Sequence, residues 1–410
     1  MKAEVVVIGA GVAGLACARD LAAAHVVTVV IEARDRIGGR ILTLRLADEA
    51  PIEMGAQVVH GDRAATWSVI HDAGLSTALM SSLSDIAFHV EGRVWTVTDV
   101  ERVRSPLPWT VERRLMESQT DDTAAEEIID RSENRSLTRA LSLEWLAQTW
   151  CADPAELSVA GMKQMREASD SGEGEFRLLD GYDRIPQELG QNLNVLLQKP
   201  VRLVRWHGGK VTIHTSDETF EARAAVLAVP PGVIAAGGIE FDPPLPPEKM
   251  NAANAIGAGG ALVLVARLSK PSPRAVWALS VGGDGGFWRA EAGSHVVQGW
   301  IKGPAAKRAN RHPLSAERVI KLTTGAFPWI KASDIIEIYT ADWSNDPFAR
   351  TGFSFPKVGS LDAPRQWAAP VDNLLFFSGE ATCWQQHLGL VHGALESGQR
   401  AAAELIDALE

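Results

Sequence analysis

The sequence predicts an α/β fold, and two observations in the first forty residues carry this prediction. An apolar run at residues 5–8 leads directly into the turn GAGVAG at residues 9–14. A second apolar run, at residues 26–31, ends on Glu32. Short apolar runs bounded by turn residues are typical of buried parallel strands, and a helix between two such strands makes a βαβ unit.

The glycines and the acid of this unit have the spacing of a dinucleotide-binding site. Gly9 permits a tight turn, Gly11 lets the backbone approach a pyrophosphate, and Gly14 lets the next helix pack on the strand. A helix N-terminus offers free N–H groups to phosphates, and Glu32 can accept hydrogen bonds from a ribose diol. An ordinary βαβ turn is the alternative interpretation.

A second glycine block extends this site. Gly38 and Gly39 would let the backbone lie against a ligand, and Arg40 can make a bidentate contact with a phosphate, unless it is an ordinary surface arginine. NAD enzymes do not need this extension. The block resembles that of FAD enzymes of the glutathione-reductase-like group.

Composition excludes several classes of function. An apolar fraction of 46% with 22% charged residues is typical of a soluble globular protein. The net charge of −11 argues against nucleic acid or a membrane surface as a partner. No apolar run is long enough for a transmembrane helix, and residues 1–4 leave no room for a signal peptide, so we expect a cytoplasmic protein.

The three cysteines, Cys17, Cys151 and Cys383, have neither metal nor redox spacing. We therefore expect no metal site, and Cys17 is expected to be a small core residue of the first helix.

The pattern along the chain predicts two interleaved domains. Residues 1–61, 178–234 and 372–410 form an FAD-binding, Rossmann-like domain. Residues 62–177, mostly helical in pattern, and 235–371 form an α+β substrate-binding domain with a helical cap. Within them we expect strands at 201–204, 211–214, 224–229, 261–268 and 295–301, a helix from about 186 toward 197, and a last helix at 393–409.

Ordered blocks along most of the chain resemble the flavin-containing amine oxidase family, which includes monoamine and polyamine oxidases. After the two glycine blocks they lie, in chain order, at residues 55–61, 180–186, 228–231, 343–347, 378–382 and 392–398. The resemblance implies FAD and hydride transfer from an amine to flavin N5. The imine then hydrolyses, and oxygen (giving hydrogen peroxide) or another acceptor takes the electrons.

The resemblance also implies which residues hold FAD. Val201 would contact the adenine, Gly379 and Glu380 the ribityl and pyrophosphate groups, and Leu390 and Val391 the isoalloxazine. The full expected set is Gly9, Gly11, Gly14, Glu32, Ala33, Arg34, Gly39, Arg40, Gly55, Ala56, Gln57, Val58, Val201, Gly379, Glu380, Leu390 and Val391. Relatives with covalent flavin carry a cysteine in the stretch that matches residues 351–354, which has none here, so noncovalent FAD is expected.

One departure from the family concerns a lysine. The family usually has one in the strand that matches residues 255–268, where it holds a water near flavin N5. Residues 261–265 contain no lysine, which puts fast reoxidation by oxygen in doubt. Lys302 in a neighbouring strand is the nearest alternative, although an ordinary surface lysine is the favoured interpretation.

A second departure concerns the substrate pocket. Monoamine oxidases flank the amine with two aromatic rings, and the matching positions here are Phe353 and Leu390, so half of this cage is lost. Trp343 and Trp384 are candidates to compensate, or are core residues. His60 either contacts the substrate or satisfies a loop carbonyl. We assign no catalytic residue from the sequence.

The sequence supports three hypotheses about function. The leading one is an FAD-dependent oxidoreductase that oxidises the C–N bond of a secondary or bulky amine; residues 56–60 lack the arginine that would favour free amino acids. The second is a flavin desaturase or dehydrogenase that acts on a specialised metabolite. The third is a flavoprotein that binds a partner. The sequence also allows the protein to form a homodimer.

Overall fold

Strands and helices alternate along the chain in the computed structural model, which describes residues 3–80, 86–118, 121–283, 285–309, 314–384 and 386–410. The strands, labelled β1 to β23, are Val5–Ile8, Thr28–Ile31, Thr43–Leu44, Ile52–Glu53, Val59–His60, Thr77–Leu79, Ala87–Val90, Arg93–Trp95, Glu175–Leu178, Val195–Leu196, Leu203–His207, Lys210–His214, Thr219–Ala222, Ala224–Leu227, Glu240–Asp242, Gly257–Ala258, Ala261–Leu268, Val276–Val281, Gly286–Ala290, Val296–Lys302, Ile335–Asp342, Ser354–Phe355 and Leu375–Phe377. The helices, labelled α1 to α14, are Val12–Ala23, Thr66–Asp72, Val97–Arg102, Pro108–Glu117, Ala125–Ser132, Ser136–Trp150, Val159–Ala168, Arg184–Leu189, Pro231–Ala235, Pro247–Ala255, Pro304–Ala309, Ala316–Ala326, Ala363–Ala368 and Val391–Leu409.

A five-stranded sheet carries the predicted βαβ unit. Its strand order is β10-β2-β1-β14-β23, and all four strand pairs are parallel. Side chains of β1 alternate between the two faces of the sheet: Val5 and Val7 pack with α1 and α14, whereas Val6 and Ile8 pack with the four-stranded sheet β13-β12-β11-β15. Because both faces are covered, every residue of β1 is buried, which explains its uninterrupted apolar sequence.

Small residues hold α1 and α14 close together beneath this sheet. A Cβ atom on Gly14 would lie 2.0 Å from the carbonyl oxygen of Gly9, and one on Gly398 would lie 2.2 Å from that of Ala13. Both helices therefore pack at a distance that only glycine permits. Cys17 is a fully buried core residue of α1, as predicted.

A seven-stranded sheet, in the order β21-β17-β20-β19-β18-β7-β8, forms the second half of the molecule. Strands β17 and β20 are antiparallel, and Ala261 lies opposite Lys302 in their register. Helices α4 to α7 pack on this sheet through a core that includes Trp145, Leu279 and Phe88. Segment 62–177 thus contains helices, as its pattern predicts, and also supplies β7 and β8 to the sheet, whereas its role as a cap stays a prediction.

The structure corrects several elements predicted from sequence. The helix expected to continue toward residue 197 is wrong: α8 ends at Leu189, and the chain then forms β10 at the sheet edge. Strands β13, β18 and β19 were not predicted, whereas β17 has the predicted bounds. Within the described residues, no helix is long and apolar enough to cross a membrane.

The bounds of the two domains stay a prediction. The strands of the five-stranded sheet all come from the segments expected to bind the cofactor, and those of the seven-stranded sheet from the other two segments. Helices α10 and α13 come from the segment 235–371, and they pack on the five-stranded sheet through Ala252 and Trp367.

Substitution of Gly14 by alanine tests the close packing of α1. We expect Gly14→Ala to lower the stability of the cofactor-free protein by ~1–3 kcal/mol, because the new methyl group must displace the Gly9 carbonyl. Gly325→Ala in α12 is the matched control: its Cβ meets no atom within 4 Å. It should raise stability by about 0.5–1 kcal/mol, since alanine is the better helix former. Thermal unfolding measures both, and equal effects would contradict the packing argument.

Candidate functional site

A cavity of about 740 Å³ connects the two large sheets. At one end it is lined by Gly9 and Glu32, which follow β1 and β2, and at the other by Ala261, Trp300 and Lys302 of the seven-stranded sheet. The carboxyl ends of parallel strands are where ligands bind in open α/β sheets. We call the first part the dinucleotide end and the second part the sheet end.

The dinucleotide end contains a backbone cradle beside a fixed carboxylate. A Cβ atom on Gly11, the residue that caps α1, would meet no atom within 4 Å, so the space beside this backbone is open. Glu32 is buried, and its carboxylate accepts hydrogen bonds from the backbone N–H groups of Ala10 (2.7 Å) and Arg34 (2.9 Å). These bonds hold the carboxylate at the cavity wall, and each of its oxygens can accept further hydrogen bonds.

Arg40 is held at the cavity by a buried acid. Its Nη1 atom donates to Glu380 Oε1 (2.8 Å) and to the carbonyl oxygen of Gly352 (2.9 Å). Glu380 also accepts from Ser354 Oγ and from the backbone N–H of Gly389. The interpretation of Arg40 as a surface arginine is therefore wrong.

Arg34 has a different role from the other predicted cofactor residues. Its guanidinium makes two hydrogen bonds of 2.7 Å to Asp346, and it lies near the rings of Trp343 and Phe348. This ion pair lowers the pKa of Asp346 against the effect of burial. The side chain thus joins the residues after β2 to the loop after β21.

The segment 55–58 lines the middle of the cavity. A Cβ atom on Gly55 would lie 1.9 Å from the Arg40 carbonyl oxygen, so the backbone of the 55–58 segment touches the backbone of the 38–40 block. Tyr182 donates its hydroxyl hydrogen to the carbonyl oxygen of Val58 (3.1 Å), and the indole N–H of Trp343 donates to that of Met54 (2.8 Å). The blocks at 180–186 and 343–347 therefore support this segment from outside.

The N-terminus of the last helix also reaches the cavity. Leu390 caps α14 without a side-chain hydrogen bond to the helix, and Leu390, Val391 and Ala394 line the cavity wall. The first N–H groups of a 19-residue helix and its dipole favour negative charge at this point.

The structure brings almost all the predicted cofactor residues to this one cavity. The residues that line it are Gly9, Gly11, Glu32, Ala33, Arg34, Gly39, Arg40, Gly55, Ala56, Gln57, Val58, Val201, Gly379, Glu380, Leu390 and Val391. Gly14 is not among them, because it lies at the contact of α1 with Gly9.

Four of the five candidates for the substrate pocket line the same cavity: His60, Trp343, Phe353 and Leu390. Trp384 is placed elsewhere: it lines a small second cavity and lies 5.8 Å from the Arg400 guanidinium. His60 contacts the Glu175 carboxylate at 3.4 Å rather than a loop carbonyl. The hydrogen bond with His60 lowers the pKa of Glu175.

Lys302 is not the surface lysine favoured by the sequence. It lines the sheet end of the cavity, with Nζ 5.4 Å from the ring centre of Phe353. Gln148 fixes its backbone through hydrogen bonds of 2.9 and 3.2 Å. Burial lowers the pKa of Lys302, while Cys151 and Glu175 act in the opposite direction. A buried amine of lowered pKa in a cavity is a candidate for proton transfer.

Comparison with known proteins identifies the family. The model of the flavin-containing amine oxidoreductase family matches residues 12–406. The chain belongs to this family. It is therefore a flavin-dependent amine oxidoreductase with FAD as its cofactor.

Similar proteins differ in length and in their reported activities. Lysine-specific histone demethylase 2 of Homo sapiens is 26% identical over 454 residues, which are 98% of this chain but 53% of that protein, so the chain spans about half its length. Polyamine oxidase 4 of Oryza sativa subsp. japonica is 28% identical over 449 residues, which are 98% of this chain and 88% of that protein.

Solved structures confirm the predicted fold class, an FAD-binding Rossmann-like domain with an interleaved α+β substrate-binding domain. Cyclohexylamine oxidase from Brevibacterium oxydans IH-35A superimposes with a TM-score of 0.80, and putrescine oxidase bound to putrescine with 0.81. Each is 22% identical, over 99% of both chains. Identity this low shows a shared fold.

The residues of this flavin amine oxidoreductase fit FAD. The open backbone at Gly11 leaves room for a pyrophosphate, and Gly379, with φ of 127°, likewise has no atom within 4 Å of an added Cβ. Glu32 suits a ribose diol, and the two helix N-termini suit phosphate and a negatively charged ring edge. In the described part of the chain, no group of His, Cys, Asp or Glu side chains is placed to hold a metal ion.

Sequence reasoning missed much of the cavity wall. At the dinucleotide end it missed Lys199 and Arg202, and at the sheet end it missed Trp145, Trp150, Met165, Trp277, Phe287 and Trp300. The alternation of Trp300 and Lys302 with Ile301 would have placed the first two on one face of a strand. Which face meets the cavity depends on pairing that the local sequence does not encode.

A methyl group on Gly11 tests the backbone cradle. We expect Gly11→Ala to fold normally, because its Cβ meets only open space. It should weaken FAD binding by ~10-fold or more, since the methyl group enters the space that a pyrophosphate must occupy. FAD fluorescence titration of the cofactor-free protein gives the affinity, and thermal unfolding gives the stability. Unchanged affinity would show that the phosphates lie elsewhere.

Proposed function

We propose that this protein oxidises a bulky amine at the carbon attached to nitrogen, with FAD bound noncovalently in the cavity. One observation carries the proposal: a single cavity joins the dinucleotide cradle at Gly11 and Glu32 to an apolar sheet end that contains Lys302. FAD, when bound, supplies an acceptor for the hydride that leaves this carbon. The amine becomes an imine, which water hydrolyses to a carbonyl compound and an amine.

The dinucleotide end would bind the cofactor by its fixed polar groups. Glu32 would accept the hydrogens of the ribose diol, and the free N–H groups at the start of α1 would bind the pyrophosphate. Val201 would lie against the adenine. The start of α14, at Leu390 and Val391, would lie beside the isoalloxazine and stabilise negative charge on the reduced ring.

Noncovalent binding is supported by the positions of the cysteines. Cys17 and Cys151 are buried, and no cysteine is among the described residues that line the cavity. Denaturation of the holoenzyme should therefore release all of its FAD.

Lys302 would accept the proton that an ammonium substrate must lose. Hydride can leave the carbon only when the nitrogen lone pair is free to form the imine. Burial lowers the pKa of Lys302, so its Nζ atom is neutral more readily than that of an exposed lysine and can take this proton. The apolar groups around it, including Phe353 and Trp300, keep bulk water away.

Oxygen is the acceptor that this geometry favours, with hydrogen peroxide as its product. The doubt about oxygen came from the missing lysine of the strand that is now β17. Because Ala261 and Lys302 are opposite residues of one antiparallel ladder, their side chains lie on the same face of the sheet. Lys302 would thus supply an amine beside a strand that lacks one, which supports oxygen as the acceptor over the desaturase alternative.

Anaerobic titration of the holoenzyme with primary, secondary and aromatic amines tests the proposed function. We expect at least one class to bleach the oxidised flavin band, because the amine is the hydride donor. Admission of air should then restore the band and form one peroxide per turnover. Yellow protein that no amine reduces would contradict amine oxidation, and reduced protein that only an artificial dye reoxidises would contradict oxygen as acceptor.

Replacement of Lys302 tests its role as proton acceptor. Lys302→Met should slow anaerobic flavin reduction at neutral pH by ~10²–10⁴-fold, the usual contribution of a general base. The defect should shrink as pH rises toward the pKa of the substrate ammonium, since the substrate then arrives neutral. Stopped-flow rates across pH measure this.

The matched control for this variant is Lys210→Met, which removes an exposed lysine of β12. It should leave the pH profile unchanged. A defect in Lys302→Met that is constant across pH would show that the lysine only shapes the pocket. The cytoplasmic location and the homodimer stay predictions from the sequence.

A further inference from the structure

The sheet end of the cavity is walled by aromatic rings that we call the tryptophan wall: Trp145, Trp150, Trp277, Trp300 and Phe287. The rings of Trp277 and Trp300 are stacked, with centroids 5.9 Å apart and planes at 23°. Those of Trp145 and Phe287 meet edge to face at 5.5 Å. The wall therefore presents broad, flat apolar faces to whatever binds beside it.

The wall is held in position before any ligand binds. One carboxylate, that of Glu112, accepts hydrogen bonds of 2.7 Å from the indole N–H groups of both Trp145 and Trp150. The guanidinium of Arg289 lies 5.2 Å from the ring of Trp277 and makes an ion pair with Glu291. Rigid aromatic surfaces bind matching rings with little loss of conformational entropy.

The cavity offers few partners for positive charge. Three carboxylates are among its described lining residues: Glu32, Glu175 and Glu380. Glu32 is bonded to the backbone at the dinucleotide end, and Glu380 is paired with Arg40. Glu175 contacts His60 at 3.4 Å and acts to raise the pKa of Lys302, so of these three carboxylates it is the one beside Lys302. One ammonium can be balanced here, whereas a second or third would be desolvated without a carboxylate.

The tryptophans themselves do not make a cage for additional cations. Trp277 is already close to the Arg289 guanidinium and stacks on Trp300 with its ring. Arg177 also pairs with Glu291, at 3.0 Å, so this carboxylate is already shared by two guanidinium groups and is not free for a substrate ammonium.

We infer that the substrate is a monoamine whose nitrogen carries a bulky aromatic group, and that linear polyamines are poor substrates. This inference rests on the proposed function and names the substrate class of the same site. The aromatic group packs on the tryptophan wall, and the single amino group lies between this wall and the dinucleotide end, within the field of Glu175.

Comparison of aromatic monoamines with polyamines on the holoenzyme tests this substrate class. The panel is N-methyl-benzylamine and N-methyl-2-naphthylmethylamine against putrescine and spermidine. We expect kcat/KM for the naphthyl compound to exceed that for spermidine by about 100-fold or more, because each uncompensated ammonium is rejected. If kcat/KM for spermidine or putrescine equalled or exceeded that for the aromatic amines, the inference would be overturned, while the proposed amine oxidation would stand.

Binding without turnover keeps the two proposals separable. Suppose that aromatic amines perturb the spectrum of oxidised FAD but never bleach it. This result would support the inferred preference of the site for aromatic monoamines and would contradict the proposed function. If neither the aromatic amines nor the polyamines perturb or bleach the spectrum, both proposals fail.

Two variants test separately the role of the tryptophan wall and the role of the number of carboxylates in the cavity. Trp300→Ala should raise KM for the naphthyl amine by about 10-fold or more with a smaller change for the benzyl amine, since the larger ring loses more contact. Trp95→Ala, which removes a tryptophan of β8 outside the cavity lining, is the matched control and should change neither value.

The second variant adds a carboxylate without removing an aromatic ring. Thr149 is an exposed residue of α6 that lines the cavity. Thr149→Glu should raise kcat/KM for spermidine by ~10-fold relative to the wild type, with little gain for the benzyl amine, because a second ammonium then has a partner. No gain for spermidine, together with an unaltered KM in Trp300→Ala, would overturn the inference.

Discussion

The contact of α1 and α14 at glycine distance is the constraint on which the site depends. Gly14 brings α1 against the turn after β1, and Gly398 brings α14 against α1. Two helices from opposite ends of the chain thereby direct their N-termini at one cavity. Each N-terminus carries partial positive charge, so the cavity is prepared for phosphate at one point and for a negatively charged ring edge at another.

Charge in the cavity is separated into two regions by hydrogen bonding. At the dinucleotide end, Glu32 is held by backbone N–H groups, and Glu380 is held by Arg40 and by the backbone N–H of Gly389. At the sheet end, aromatic rings replace polar groups, and burial lowers the pKa of Lys302. An amine of lowered pKa and a wall of indole rings suit a substrate that must itself become neutral before it reacts.

The sequence predicted the parts of the site that are built locally. The turn at Gly11 and the acid at Glu32 belong to one βαβ unit, and their spacing along the chain is enough to place them. The tryptophan wall was missed because its rings come from α6, β18, β19 and β20, which meet only through tertiary packing and strand pairing. Trp384 shows the opposite failure: proximity to the 378–382 block in sequence did not bring its ring to the cavity.

Lys302 shows that an amine can enter the cavity from a strand other than the one expected to carry it. Opposite residues of an antiparallel pair have their Cβ atoms roughly 5 Å apart and their side chains on the same face. Ala261 of β17 lies opposite Lys302 of β20, and both residues line the cavity. Strand β17 itself contains no lysine, and Lys302 lies 41 residues beyond Ala261 along the chain. The register between the two strands, which neither strand alone indicates, therefore places this amine beside β17.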